Sequence, residues 1–243
     1  MNISINKFKQ ANQELLRLDL LNFLREDQLN INYLFNLISN EYSVIALKLI
    51  EYLKLTEKEY TEVLIMSMYY NNEDIVLSLF DSSKYISVKN KILNSLIVES
   101  KTTLLLKILR KLNLIEVNKL EINNQDFSII SLAIVHNSIT NNNEDTIEGL
   151  IKAGFNINKK DSNGDIPLTL AIVMENMLLT KILLSNGANI NNISNDGFTN
   201  VKILLNKSKL NKKLLRFILL NKKYDNNIES KETIELLNSL NLD

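Results

Sequence analysis

The 243-residue chain contains no cysteine and no tryptophan, one proline, one histidine and five glycines. Without cysteine there is no disulfide framework, no thiolate metal site and no catalytic thiol, and an intracellular home, the cytoplasm foremost, is expected. With His136 as the sole histidine, multi-histidine metal sites are excluded as well. No apolar run reaches membrane-spanning length, and the opening MNISINKFKQANQELL has no compact apolar core behind a basic start, so neither secretion nor membrane insertion is expected. The chain also lacks a Gly-rich phosphate loop, a zinc spacing and a calcium-loop pattern. No cofactor, metal or enzymatic activity is expected. Overall charge of one sign is missing too, because 28 Lys and Arg balance 28 Asp and Glu. The whole molecule therefore has no general field to draw in nucleic acid or anionic membrane.

What is present is leucine and isoleucine at helical spacing. Apolar residues make up 45% and charged residues 23%, the balance of a chain that folds. From Ile3 to Leu24 the three- and four-residue steps predict an N-terminal helical cap. INYLFNLIS, a break at Asn40-Glu41, and YSVIALKLIEYLKL predict an antiparallel helical hairpin. Thr56 to Phe80 repeats that design, with Thr56 as N-cap, Glu59 three residues on and a turn at Asn71-Asn72. Val88 to Arg110 gives a third pair, broken near Ser100-Lys101. The second helices align on closing apolar pairs: Leu49-Ile50, Leu79-Phe80, Ile108-Leu109, Leu150-Ile151, Leu183-Leu184 and Leu219-Leu220. Their steps are 30, 29, 42, 33 and 36 residues. The early units hold no glycine, so Asn, Asp, Ser and Lys are expected to make their turns.

The clean 33-residue step is an internal repeat. Gly154 recurs as Gly187, Gly164 as Gly197, and Asn156-Ile157-Asn158 as Asn189-Ile190-Asn191. Such a period marks a stack of units, none of which buries its apolar face alone. Within it DSNGDIPLTLA resembles the turn and first helix of an ankyrin repeat, and ILLSNGANIN its second helix, glycine cap and exit. The resemblance is strong from Asp161 to Asn195, clear over about Asp126 to Leu205, and weak before about Asn123. It implies an all-α fold, an ankyrin-type solenoid of helical hairpins with capping helices and with fingers projecting between repeats. Residues 1–122 would be N-terminal hairpins, 123–225 ankyrin repeats and 226–243 a C-terminal capping helix, in one continuous solenoid. Two readings fit the first hundred residues: degenerate ankyrin units, or plain helix pairs.

Several residues have roles that follow from their chemistry. Gly154 and Gly187 suit left-handed chain reversals after helices, Gly164 and Gly197 suit tight finger turns after Asn163 and Asp196, and Pro167 suits the first turn of a helix. SITNNNEDTI (138–147) adds about five residues between two helices and is expected to form an exposed loop. The ankyrin Thr-Pro-Leu-His motif appears as Ile166-Pro167-Leu168-Thr169, Thr199-Asn200-Val201-Lys202 and Ser128-Ile129-Ile130-Ser131. None has the histidine, so the family's threonine–histidine network is not expected, and apolar packing must supply more of the stability.

The resemblance implies a non-enzymatic, monomeric module that binds another protein through finger tips and the concave face of the first helices. By register those surfaces hold Lys159, Lys160, Asp161, Asn163 and Asp165 in one finger, and Asn192, Ser194, Asn195 and Asp196 in the next. Val135, His136, Val173 and Met174 would line the helices. His136 reads as an ordinary, partly exposed histidine, with no serine or acid placed for a triad. Asp161, Asp165 and Asp196 read as turn formers rather than an acid–base set. The basic stretch 202–223 is the local anomaly: eight cations and no acid between Phe198 and Tyr224. Lys209, Lys212, Lys213 and Arg216 are predicted to form one helical stripe, with Leu210, Leu214, Phe217 and Ile218 on the other side. It suits a solvated outer face, an acidic protein partner or, least, an anion or nucleic acid. A recognition subunit whose effector lies on another chain, a purely structural spacer, and an anion- or nucleic-acid-contacting module through 202–223 are the alternative functions. Ser230 is predicted to cap a last helix, TIELLNSLNL, that closes the stack.

Overall fold

The computed structural model describes residues 30–123, 128–140 and 144–240, with side chains omitted for 122–123 and 137–140. The predicted cap at Ile3 to Leu24 lies outside them. Among the described residues the secondary structure is helical apart from one isolated β-bridge. The chain divides into two compact units, residues 1–92 and 93–243, and the division falls inside the helix Ile86–Val98.

The first unit contains α1 (Ile31–Ser39), α2 (Ser43–Tyr52), α3 (Glu57–Tyr69), α4 (Glu73–Ser82) and the start of α5 (Ile86–Val98). α1 packs on α2 and α3, while α4 packs on α2 and α3, so two antiparallel hairpins lie side by side. Leu34, Leu37 and Ile38 of α1 and Ile75, Val76, Leu79 and Phe80 of α4 are buried at the steps that put them on one helical face. At the start of α3, Thr56 Oγ1 accepts from the Glu59 amide (3.3 Å) while the Thr56 amide donates back to Glu59 Oε2 (2.7 Å). That backbone hydrogen bond, followed by the bond from the Thr56 hydroxyl, holds the Glu59 carboxyl below its ordinary range.

Each hairpin turns on a single left-handed residue. Glu41 has φ of +62° and Asn71 +52°; the next amide, of Tyr42 or Asn72, then donates back to Leu37 O (2.9 Å) or Ser67 O (2.8 Å). This ring satisfies carbonyls that the helix end would leave unpaired. Asn71 is the expected kind of turn residue. Glu41 is not, since a non-glycine residue there costs on the order of 1 kcal/mol, and the burial of apolar residues on both flanking helices outweighs that cost. The links Leu53–Thr56 and Ser83–Tyr85 are too short to form fingers, so these hairpins follow one another without one.

The second unit continues with α6 (Thr102–Leu109), α7 (Leu114–Asn123), α8 (Ile129–Thr140), α9 (Glu144–Ala153), α10 (Pro167–Val173), α11 (Met177–Ser185), α12 (Asn200–Leu205), α13 (Lys212–Leu219) and α14 (Lys231–Ser239). First helices α8, α10 and α12 pack in order, α9 and α11 pair with α8 and α10, and α6 lies against α9. The same turn recurs at Ser100 (φ +54°) and Glu175 (φ +55°), with Lys101 N donating to Leu96 O (2.8 Å) and Asn176 N to Ala171 O (3.0 Å). Glu41, Asn71 and Ser100 are thus 30 and 29 residues apart, the steps shown by the closing apolar pairs.

Four expectations need correction in this unit. The 42-residue step contains a helix the repeat pattern did not anticipate: α7 stands where a finger would, held by buried Val117 and Leu120. The insert 138–147 is mostly helical, because α8 runs to Thr140 and α9 starts at Glu144, with Thr146 and Ile147 buried. Glu144 and Asp145 favour that start by sitting at the positive end of the helix dipole. α14 is capped by Ser230, which accepts from Thr233 N (3.2 Å), but Ile234 and Leu236 are exposed and Thr233 is the residue it buries. Polar ties between repeats are also more developed than the missing histidines suggested.

Those ties form a ladder. Asn156 N donates to Glu121 Oε1 (2.7 Å), Asn189 N to Asn158 Oδ1 (2.7 Å) and Asp225 N to Asn191 Oδ1 (2.9 Å). The same asparagines donate onward, Asn158 Nδ2 to Gly187 O (3.2 Å) and Asn191 Nδ2 to Lys223 O (2.7 Å). At the C-terminal side, buried Glu229 accepts from Thr199 Oγ1 (2.6 Å) and from the Tyr224 hydroxyl (3.0 Å). Burial, then the Glu229 charge and hydrogen bond, pushes the Tyr224 phenol well above its ordinary range.

Candidate protein-binding surface

Two fingers stand between α9 and α10 and between α11 and α12. In the first, Asp161 N donates to Asp165 O (2.9 Å) and Gly164 N to Asp161 O (3.1 Å); in the second, Ser194 N donates to Phe198 O (3.0 Å) and Gly197 N to Ser194 O (3.0 Å). The loops therefore have three residues, and Gly164 (φ +78°) and Gly197 (φ +75°) take the left-handed bulge position rather than a two-residue turn. Asp161 Oδ1 secures the first loop by accepting from Asn163 N (2.8 Å) and Asp165 N (3.0 Å); Ser194 Oγ does the same for Phe198 N (3.1 Å).

The fingers are joined edge to edge. Asn195 N donates to Asn163 O (2.8 Å), Asn195 Nδ2 to Ser162 O (2.9 Å) and Asn192 Nδ2 to Gly164 O (3.0 Å). Gly164 is required twice over, by its φ and because a Cβ would lie 2.5 Å from Asn195 Oδ1 and 2.9 Å from Asn195 N. Asn192 is buried, and Lys159 is half-buried with its ammonium on the Glu121 carbonyl. Burial lowers the Lys159 ammonium's pKa, with Glu121 opposing. What projects is Lys160, Asn163, Asn195 and Asp196, all exposed, with Asp161, Asp165 and Ser194 half-buried behind them. The Asp165 carboxyl lies above its ordinary range, chiefly through burial and then through Asp161 and Asp196, with Lys160 opposing. Its Oδ1 is buried without a hydrogen-bond partner.

On the first helices, Val173 is 37% exposed and Met174, the C-cap of α10, is half-buried. Val135 and His136 are half-buried just past the middle of α8, and His136 Nε2 lies 3.3 Å from Ser100 Oγ. A serine–histidine contact invites a nucleophile reading, but the adjacent amides are committed to closing α5: Ser100 N donates to Ile97 O (3.1 Å) and Lys101 N to Leu96 O (2.8 Å). They cannot serve an oxyanion without opening the turn. Pro167 opens α10, and Gly154 (φ +98°) and Gly187 (φ +92°) end α9 and α11 in the left-handed region.

The basic stretch differs from the predicted stripe. Asn211 accepts from Leu214 N (3.0 Å) and starts α13 at Lys212, which leaves Lys209 outside the helix. The exposed face is Lys212 and Lys213, then Arg216, then Leu220, with Leu214, Leu215 and Ile218 buried opposite.

The sequence reading missed one concave feature, a groove of about 650 Å³ between α6, the start of α7 and α9, bordered by Arg110, Leu114, Asp145, Gly149 and Lys152. It exists because α7 replaces a finger, and the only sequence signal was the apolar pattern of LIEVNKL. Among the described residues, no helix is long and apolar enough to cross a membrane, and no cluster of His, Cys, Asp or Glu is placed to hold a metal ion.

No protein-family model matches the chain. A stretch of 65 residues, 26% of this chain, is 40% identical to an ankyrin repeat protein of fowlpox virus, and the match spans 15% of that protein's length. The chain is all-helical in its described part, and over about a quarter of its length it is similar to an ankyrin repeat protein.

Proposed function

We propose that the chain is a non-enzymatic, monomeric protein-interaction module built as an ankyrin-type stack of helical hairpins, which binds a partner protein through its fingers and the neighbouring ends of its first helices. The observation that carries this is the edge-to-edge joining of the fingers through Asn192 and Asn195. Main-chain and buried side-chain bonds set the spacing of the tips, so Lys160, Asn163 and Asp196 are displayed with little freedom left to lose on binding. The similarity to an ankyrin repeat protein supports the same reading. A chain without cysteine also suits work in a reducing compartment.

The test substitutes exposed tips and spares the joining asparagines: Lys160→Glu, Asn163→Lys and Asp196→Lys together. Affinity capture with the parent chain should retain a partner that the triple variant loses, while the two melting temperatures agree within about 2 °C. Retention of the same partner by the variant, or substrate turnover by the purified chain, would overturn the proposal.

A further inference from the structure

The first turn of α13 carries charges that oppose its own stability. α4 and α9 begin with Glu73-Asp74 and Glu144-Asp145, acids at the positive end of the helix dipole. At the same place α13 carries Lys212 and Lys213 and no acid in its first turn. Arg216 and Leu220 follow Lys213 at three and seven residues, on one side of the helix, and Leu220 is 72% exposed. Exposed Lys209 precedes the helix and exposed Lys222 and Lys223 follow it, so cations stand at both ends of the helix as well as beside Leu220 on its exposed side.

The aromatic rings in this region are already engaged. The Lys202 ammonium lies 4.9 Å from the Phe198 ring centroid, Lys181 covers Phe217 at 5.8 Å, and the Tyr224 hydroxyl is bonded to Glu229. Single-stranded nucleic acid is held largely by bases stacking on exposed rings, and this face offers none of these three. It offers cations in a line and one leucine, the complement of a polypeptide with carboxylates along one side and an apolar residue between them.

We infer that the face formed by Lys209, Lys213, Arg216, Leu220, Lys222 and Lys223 is a second docking surface, independent of the fingers, for an acidic amphipathic protein segment. Its carboxylates would pair with the lysines and Arg216 while its apolar residue covers Leu220. Encounter would be steered by charge and weakened by salt.

The test measures fluorescence anisotropy with the full chain and a labelled, helix-forming peptide that carries glutamates on one side with a central leucine. Binding should weaken as salt rises. Lys213→Glu with Arg216→Glu should weaken it by at least about tenfold, and Leu220→Ser severalfold without altering the salt dependence. An acid at Lys213 suits the positive end of the helix dipole while one at Arg216, in the last turn, does not, so loss of fold is excluded by a far-UV circular dichroism melt matching that of the parent chain. Lys209→Glu with Lys222→Glu, outside the helix, should act in the same direction. A finger triple variant should bind the peptide as the parent chain does. The inference is overturned if the peptide does not bind, if charge reversal leaves its affinity unchanged, or if a labelled oligothymidine binds as tightly.

Discussion

Replacing Asn191 by alanine should loosen the C-terminal end of the second unit, by an amount the ladder allows one to work out. The side chain accepts from Asp225 N at 2.9 Å and donates to Lys223 O at 2.7 Å, while its own amide bond to Asn189 Oδ1 belongs to the backbone and survives. Each lost bond contributes a net of roughly 0.5–1.5 kcal/mol. The stranded groups lie in exposed residues and water can reach them, so no large burial penalty is added. The expected loss is therefore about 1–3 kcal/mol. Urea unfolding followed by far-UV circular dichroism should show a lower midpoint, and hydrogen exchange should show the Asp225 amide losing protection. Asn191→Asp keeps the acceptor and removes the donor, and should cost about half as much. A loss below about 0.5 kcal/mol, the range of ordinary surface changes, or an unchanged Asp225 amide, would refute the idea that these asparagines join neighbouring repeats.

Two further outcomes follow from the fingers. Gly164→Ala should destabilise by more than the roughly 1 kcal/mol expected for Gly197→Ala, because both are left-handed but only at Gly164 does a Cβ meet a neighbour; thermal melts that rank the two equally would contradict the close approach of Asn195. Asp165→Asn should stabilise the fold modestly at neutral pH, by at most about 1 kcal/mol after solvent screening. The sign follows from the raised folded-state pKa: the native chain binds the proton more tightly than the unfolded chain, so stability falls as pH rises from the ordinary carboxylate range through the folded value. The advantage of Asp165→Asn should vanish in acid, below the ordinary carboxylate range, and urea midpoints across pH would reveal a gain that persists there instead.

Much of the helical scaffold could be read from residue order because its signals are local. Thr56 with Glu59 and Ser230 before α14 announce helix starts through bonds spanning three residues, Pro167 does so at the start of α10 through its fixed φ, and the apolar pairs mark the hairpins. Glu41 and Glu175 were not legible, since glutamate has no preference for the left-handed region and only the packing of flanking helices puts it there. α7 was hidden for another reason: its apolar pattern is short and lies where a 33-residue repeat leads one to expect a finger. The three- and four-residue spacing that joins Lys209 to Lys212, Lys213 and Arg216 carries no sign of the cap at Asn211, which starts the helix after Lys209. The recurrence of Asn158 as Asn191 was plain, yet its role was not, because the partners are main-chain atoms some thirty residues on, which no side-chain pattern names.

That choice of partner bears on how such a chain can change. A rung that grips the main chain of the following unit is indifferent to what side chains that unit carries. Duplicating or deleting one whole module would leave every remaining main-chain rung supplied, provided the incoming copy brings its own asparagine. The surface can then diverge from one copy to the next while the splice between them stays the same.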